Sequence, residues 1–328
     1  MTEVQTYASA HAAAYRKFFD GKKISPFLLY DSPQKSEDTV ELFAENRKRI
    51  SISGVQEKLS FILDSNILRL THKSEQGTYI LKPIPHDLKK AADIPANENL
   101  TMKIAQHVYG INTAKNVLVF FKDGTPAYLT KRFDIKPNGK KWGKEDFATL
   151  AGKTRNNAGA DFKYACSYEE AGLLLQKYVP AWRIEVEKYF SLVVFNYIFS
   201  NGDAHLKNFA LLESTGGDYL LSPAYDLINT RLHVGDTDFA LDKGLFVDGF
   251  KSDFFKKRSH PGKTDFMELA RRLGIPEKRR EKLILTFLQK HKSIETLISQ
   301  SILSQQNKRG YYLLYQTKMN YLMERPST

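Results

Sequence analysis

The sequence predicts an α+β chain of two lobes, a small strand-rich N-terminal lobe and a larger helical C-terminal lobe. Three observations carry this expectation. Short apolar runs bounded by turn residues dominate the first part of the chain, as strands do. Longer apolar and amphipathic stretches with helix-capping signals dominate the rest. Between them Pro137-Asn138-Gly139-Lys140-Lys141 is a polar, turn-rich interruption. A chain of 328 residues buries a sizeable core and divides into two units, here expected at 1–135 and 136–328.

The elements follow in order. Residues 59–63 alternate in polarity and read as a strand, and Tyr79-Ile80-Leu81-Lys82 as a second short one. Residues 95–109 place Leu100, Ile104 and Val108 at four-residue spacing, an amphipathic helix closed by Gly110 with Glu98 in its first turn. Past the Asp123-Gly124 turn, Phe133 reads as a core residue of a strand. Ser167-Tyr168-Glu169-Glu170 is a capping box that opens a helix. Residues 184–200 form an apolar run long enough for a buried helix, stopped by Asn201-Gly202. Residues 209–212 and 219–221, split by Gly216-Gly217-Asp218, read as a hairpin, and residues 263–323 hold three or four further helices. There is no internal repeat or long low-complexity tract.

Chemistry concentrates in Asn201-Gly202-Asp203-Ala204-His205-Leu206-Lys207-Asn208. Asp203 and Asn208 stand in the D-x-x-x-x-N pattern of a phosphotransfer loop, where the Asp accepts a hydroxyl proton and the Asn holds a metal ion. Asp and Asn also meet at this distance in ordinary turns. The context distinguishes them: helix, polar loop, hairpin, then Asp226 in Ser222-Pro223-Ala224-Tyr225-Asp226-Leu227 is the order in which a kinase builds its metal site. Asn208 and Asp226 offer hard oxygens to Mg²⁺, leaving Asp203 to orient an attacking hydroxyl. His205 and Lys207 stand beside them as phosphate contacts, although a lone His equally reads as a packed structural residue. Lys82, ending its strand, and Glu98 match the lysine and helix glutamate that must align in active kinases. No G-x-G-x-x-G occurs. Ser51-Ile52-Ser53-Gly54-Val55-Gln56-Glu57-Lys58 is the candidate phosphate cradle, with a single glycine.

Together residues 51–58, Leu81-Lys82-Pro83, Lys131-Arg132-Phe133-Asp134, residues 201–208 and Ala224-Tyr225-Asp226 resemble the HipA family of bacterial Ser/Thr kinase toxins from about residue 45 onward. The resemblance implies a two-lobed protein-kinase-like fold with ATP and Mg²⁺ as cofactors. It implies Asp203 as the catalytic residue, Asn208 and Asp226 as metal ligands and Lys82 as the ATP lysine. Ser53, Gly54, Val55, Gln56, Glu57 and Lys58 would form the phosphate loop, and Lys131, Arg132 and Phe133 the connection that meets adenine. His205, Leu206, Lys207 and Tyr225 join the nucleotide-binding set. Because Ser51 lies near the start of the chain and the loop reads Ser-Ile-Ser, the chain resembles the short form HipT of HipBST systems. In that form the first N-subdomain is a separate small protein, HipS, beside a DNA-binding HipB, and Ser51 and Ser53 would be autophosphorylation sites. A phosphoserine there would repel nucleotide or draw the loop toward Arg47, Lys48 and Arg49. The resemblance also implies an aminoacyl-tRNA synthetase as protein substrate and DNA contact only through the antitoxin complex. A lipid or small-molecule phosphotransferase and an inert pseudokinase are the alternatives.

Composition bounds the setting. The single cysteine, Cys166, excludes an intramolecular disulfide and a Cys-based zinc site. Ser191 and Asn196 interrupt the most apolar stretch, and the Ala-rich start at residues 8–14 lacks the regions of a signal peptide. Cytoplasmic location without membrane contact is therefore expected. Forty-nine basic against 37 acidic residues leave +12, concentrated at Lys256-Lys257-Arg258, Arg271-Arg272 and Lys278-Arg279-Arg280-Glu281-Lys282. These clusters read either as solvated helix faces or as a surface for tRNA-associated or DNA-bound partners.

Overall fold

The structure is a computed structural model that describes residues 2–33, 57–85 and 90–325. Ser51, Ser53, Gly54, Val55 and Gln56, with Arg47, Lys48 and Arg49, lie outside the described residues. Residue contacts divide the chain into two compact units, Met1–Leu100 with Ala114–Lys140 and Gln300–Ser304, and Thr101–Thr113 with Lys141–Ser299 and Gln305–Thr328.

The first unit opens with helices α1 (Glu3–Ala10) and α2 (Ala12–Phe18), which the sequence did not announce. Thr2 and Gln5 cap α1 reciprocally. Strands β1 (Leu59–Asp64), β2 (Ile67–Leu70) and β3 (Tyr79–Lys82) precede helix α3 (Ile94–His107), and β4 (Asn116–Phe120) and β5 (Pro126–Lys131) follow it. All pairings are antiparallel in the order β2-β1-β3-β5-β4. Ser65 and Asn66 both take positive φ, 47° and 66°, so a two-residue turn of the twist-compatible kind joins β1 to β2. The register lines up Leu59, Leu81, Leu129 and Val117 across four strands, all of them buried. Lys82, the next residue after Leu81, therefore projects to the opposite face. Tyr15 of α2 donates to the Leu118 carbonyl at 2.8 Å. Phe133, expected inside a strand, instead lies in a bend beyond β5 and is only half-buried. β5 ends at Lys131, and past the bond from the Arg132 N–H to the Thr78 carbonyl at 2.9 Å the chain bends at Phe133.

The second unit is built around α5 (Trp182–Ile198), reached through β6 (Lys144–Asp146), two single-turn helices at Phe147–Leu150 and Arg155–Ala158, and α4 (Tyr168–Tyr178). Ser167 caps α4 with Glu170 in a capping box. Along α5, Val186, Tyr189, Phe190, Val193, Val194, Phe195, Tyr197 and Ile198 are all buried, the pattern of a core helix. Gly172 of α4 permits close approach, because a Cβ there would stand 2.5 Å from Leu273 and 2.8 Å from the Tyr189 ring. After α5 come β7 (Ala210–Glu213) and β8 (Tyr219–Leu221), giving a sheet in the order β6-β7-β8. Helices α6 (Asp253–Arg258), α7 (Lys263–Arg272), α8 (Glu277–Leu288), α9 (Lys292–Gln300) and α10 (Gln305–Leu322) complete the chain. Asp265, fully buried, accepts from the Ser252 and Gly262 backbone N–H groups and the Ser252 hydroxyl at 2.8–2.9 Å.

Part of each basic cluster is paired. Arg271 and Arg272 engage Glu268, Arg272 also reaches Glu169 and Asp248, and Arg279 meets Glu187 at 2.5 Å. Among the described residues no helix is long and apolar enough to cross a membrane.

Candidate active site

Helix α5 ends because Ser200 adopts φ 54°, a left-handed turn that stops the helical ladder. The side chain of Asn201 then reaches back to Asn196 Oδ1 at 2.9 Å and forward to the Asp226 carbonyl at 3.4 Å. Thr230 ties the same two segments: its hydroxyl accepts from the Gly202 N–H at 2.9 Å and donates to the Ser200 carbonyl at 3.1 Å. Gly202 has to lack a side chain, since a Cβ would stand 2.6 Å from Asp236 Cβ and 2.8 Å from the Thr237 carbonyl oxygen. Residues far apart in sequence are thus clamped into one loop cluster.

Within that cluster Asn208 and Asp226 meet, the Asn208 amide donating to Asp226 Oδ2 at 3.4 Å. Asn208 Oδ1 accepts from the His205 backbone N–H at 3.1 Å, which orients the amide. Asp226 itself has φ 56°. A non-glycine residue held in this region costs about 1–3 kcal/mol and tends to occur at functional sites. Asp203 is exposed on the same loop, and its Oδ1 accepts from the Tyr164 hydroxyl at 2.8 Å.

His205 is 8% exposed, and its Nδ1 is buried without a partner. Burial, opposed by the Asp203 charge, lowers its pKa to about 4, so it stands as a neutral ring. Leu206 is fully buried. Lys207 is half-buried, and its carbonyl accepts from Tyr225 at 2.8 Å. The Lys144 ammonium lies 5.0 Å from the Tyr225 ring.

In the first unit Lys82 Nζ lies 2.6 Å from Glu98 Oε1, with side-chain exposures of 4% and 2%, and 5.3 Å from the Tyr128 ring. Lys131 pairs with Asp20 at 2.5 Å and Arg132 grips Asp134 through two nitrogens at 2.7–2.9 Å. Glu57 and Lys58 are half-buried ahead of β1.

Among the described residues no group of three or more His, Cys, Asp and Glu side chains is placed to hold a metal ion. Asp226 and Asn208 each carry a hard oxygen that a divalent ion could take, with water and phosphate as the remainder, although the Asn208 amide here turns its NH2 and not Oδ1 toward Asp226. This donor set fits Mg²⁺, which retains waters and takes few protein ligands.

Sequence reasoning missed Tyr164, Thr230 and the clamping role of Asn201. Thr230 and Tyr164 act through contacts 28 and 39 residues away, and no local pattern signals such contacts.

The family description "HipA-like C-terminal domain" matches residues 50–294. A Haemophilus influenzae protein named "Putative kinase" is 25% identical over 303 residues, covering 87% of this chain and 84% of that protein. A Sinorhizobium fredii protein named "Putative kinase Y4dM" is 31% identical over 225 residues, covering 64% of this chain but only 52% of its own length. Among solved structures, the Shewanella oneidensis toxin–antitoxin protein HipA, determined with HipB and operator DNA, superposes with TM-score 0.58 at 20% identity, covering 94% of this chain and 69% of that one. The Helicobacter pylori proinflammatory kinase CtkA gives TM-score 0.52 at 13% identity, covering 80% and 93% respectively. The α+β fold, with its strand-rich first unit and helical second unit, is kinase-like.

Proposed function

Because the chain belongs to the family of the HipA-like C-terminal domain, we propose that it is an ATP-dependent serine/threonine protein kinase acting as the toxin of a toxin–antitoxin system. The lobes would be residues 1–135 and 136–328. The observation that carries the proposal is the cluster of Asp203, Asn208 and Asp226 on clamped loops, in a chain whose strand lysine Lys82 pairs with the helix glutamate Glu98.

Each residue has a definite task. Asp203 orients the acceptor hydroxyl and takes its proton. Asn208 and Asp226 hold Mg²⁺, which when bound neutralises phosphate charge. Lys82, aligned by Glu98, adds positive charge for the phosphates. His205, Leu206, Lys207 and Tyr225 shape the loop around the nucleotide, with Ser53, Gly54, Val55, Gln56, Glu57 and Lys58 as its cradle and Lys131, Arg132 and Phe133 toward adenine. Ser51 and Ser53 are proposed autophosphorylation sites, an aminoacyl-tRNA synthetase the substrate, and HipB-like and HipS-like proteins the partners. The HipA relative determined with HipB and operator DNA supports the antitoxin part of this reading, with DNA met through that complex.

The test is transfer from labelled ATP and Mg²⁺ by wild type and Asp203→Ala. Labelled protein bands with wild type alone support the proposal. Labelled lipid or metabolite would replace it with a different phosphotransferase, and nucleotide binding without transfer would replace it with a pseudokinase. Phosphate at Ser51 or Ser53 in wild type but absent in Asp203→Ala would support autophosphorylation, and phosphate in neither form would remove it.

A further inference from the structure

We propose that Tyr164 is a positioning residue for Asp203, holding one carboxylate oxygen so that the other faces the acceptor hydroxyl. The inference rests on the kinase reading and deepens it.

The geometry is direct. The Tyr164 hydroxyl donates to Asp203 Oδ1 at 2.8 Å, and Asp203 is otherwise an exposed side chain whose Oδ2 accepts no hydrogen bond from the described residues. A carboxylate bonded at one oxygen loses much of its rotation about χ2. Proton transfer needs the acceptor oxygen within roughly 2.6–3.2 Å and aligned, so removing that rotation favours productive encounters.

Tyr164 can impose this because it is fixed from several sides. Its N–H donates to the Asp161 carbonyl at 2.8 Å, and its own carbonyl accepts from the Asp242 N–H at 3.0 Å. Its ring meets His205 edge-on, with centroids 5.3 Å apart, and the Lys163 ammonium lies 4.8 Å from the ring. The Lys163 carbonyl accepts from the Leu206 N–H at 3.0 Å, tying residues 163–164 to the loop that carries Asp203. Burial, then the charge of Asp203, then Asp161 and Asp236, push the phenol well above its ordinary range. It therefore remains a protonated donor to Asp203.

In the transfer, the acceptor O–H bond breaks and its proton passes to Asp203 Oδ2. The acceptor oxygen forms the new O–P bond as the bond from the γ-phosphorus to the bridging oxygen breaks, leaving that electron pair on ADP. Tyr164 keeps its own proton throughout.

Two measurements test this. Tyr164→Phe retains the ring contacts with His205 and Lys163 and removes only the hydroxyl. Its kcat is expected to fall about 10- to 100-fold, the scale of a misplaced reacting group, with KM for ATP and for acceptor and the melting temperature unchanged. An unchanged or increased kcat, or a loss confined to KM, overturns the proposal. Independently of activity, 3-fluorotyrosine at position 164 followed by ¹⁹F resonance is expected to titrate at lower pH in Asp203→Ala than with Asp203 present, and equal titration overturns the contact. If wild type transfers no phosphate to any acceptor, the kinase reading falls and the role of Tyr164 with it. Transfer by wild type together with an unaffected Tyr164→Phe removes the role of Tyr164 alone.

Discussion

Lys82 and Glu98 form a buried ion pair at 2.6 Å, linking the end of β3 to the first turns of α3. Both charges are nearly withdrawn from water, and the neighbouring Asn97 and Asn99 are buried as well. Three consecutive buried polar residues on one helix make this an expensive place to lose a partner.

Removing one member of such a pair takes from the other its opposite charge at 2.6 Å in a place nearly withdrawn from water. Glu98→Ala and Lys82→Ala are each expected to destabilise the fold by about 3–5 kcal/mol, read as a lowered urea midpoint. The double replacement by apolar residues of similar volume should cost much less than the sum of the single changes. Additive losses would show that the two side chains act independently.

Asp226 and Asp203 are expected to fail differently. Asp226→Ala should weaken Mg²⁺-dependent ATP binding measured calorimetrically. Asp203→Ala should leave binding intact and lower transfer by about 10²–10⁴-fold, the usual contribution of a general base. Equal loss of binding in both variants would contradict the separate tasks assigned to them.

Gly202→Ala places a methyl group against Asp236 Cβ and the Thr237 carbonyl oxygen, at 2.6 and 2.8 Å. Backbone yields poorly, so the expected cost is about 1–3 kcal/mol together with displacement of the Asp203 loop. Thermal melts and transfer assays on one preparation would reveal both. A variant with wild-type stability and turnover would mean that the loop moves freely.

Cys166 is buried, and burial followed by the nearby Glu170 charge pushes its thiol up to about 11. Against an ordinary thiol near 9.0 this leaves about a hundredfold less thiolate at pH 8, so a disulfide reagent should label the native protein at least that much more slowly than the unfolded chain. The folded state holds the proton that the unfolded state releases between about 9 and 11. The stability from this group is therefore complete below pH 9 and declines as pH rises toward 11. Rapid native labelling at pH 8 would contradict the buried thiol.

Elements with local signatures were legible from the residues. The capping box at Ser167 and Glu170 starts α4, the apolar run becomes α5, and Gly216-Gly217-Asp218 separates β7 from β8. Helices α1 and α2 were not legible, because short alanine-rich segments carry little periodicity and are anchored by distant partners, as Tyr15 is by the Leu118 carbonyl. Phe133 was misplaced for a related reason: apolar character suggests a strand, but where the β5 ladder stops is decided by its partners. In the candidate site the loop that carries Asp203 and Asn208 could be picked out from its spacing. The residues that hold it, Asn201 and Thr230, could not be assigned that task.

The amino-acid order alone determined the types of the main elements and the positions of the acidic and amide side chains, because capping, turn chemistry and hydrophobic period act over a few residues. Only the tertiary structure decided that Thr230 clamps Gly202, that Asp226 sits in a left-handed conformation beside Asn208, and that Tyr164 donates to Asp203. Those contacts join residues whose sequence separation leaves no periodic trace, and they form where packing brings the segments together.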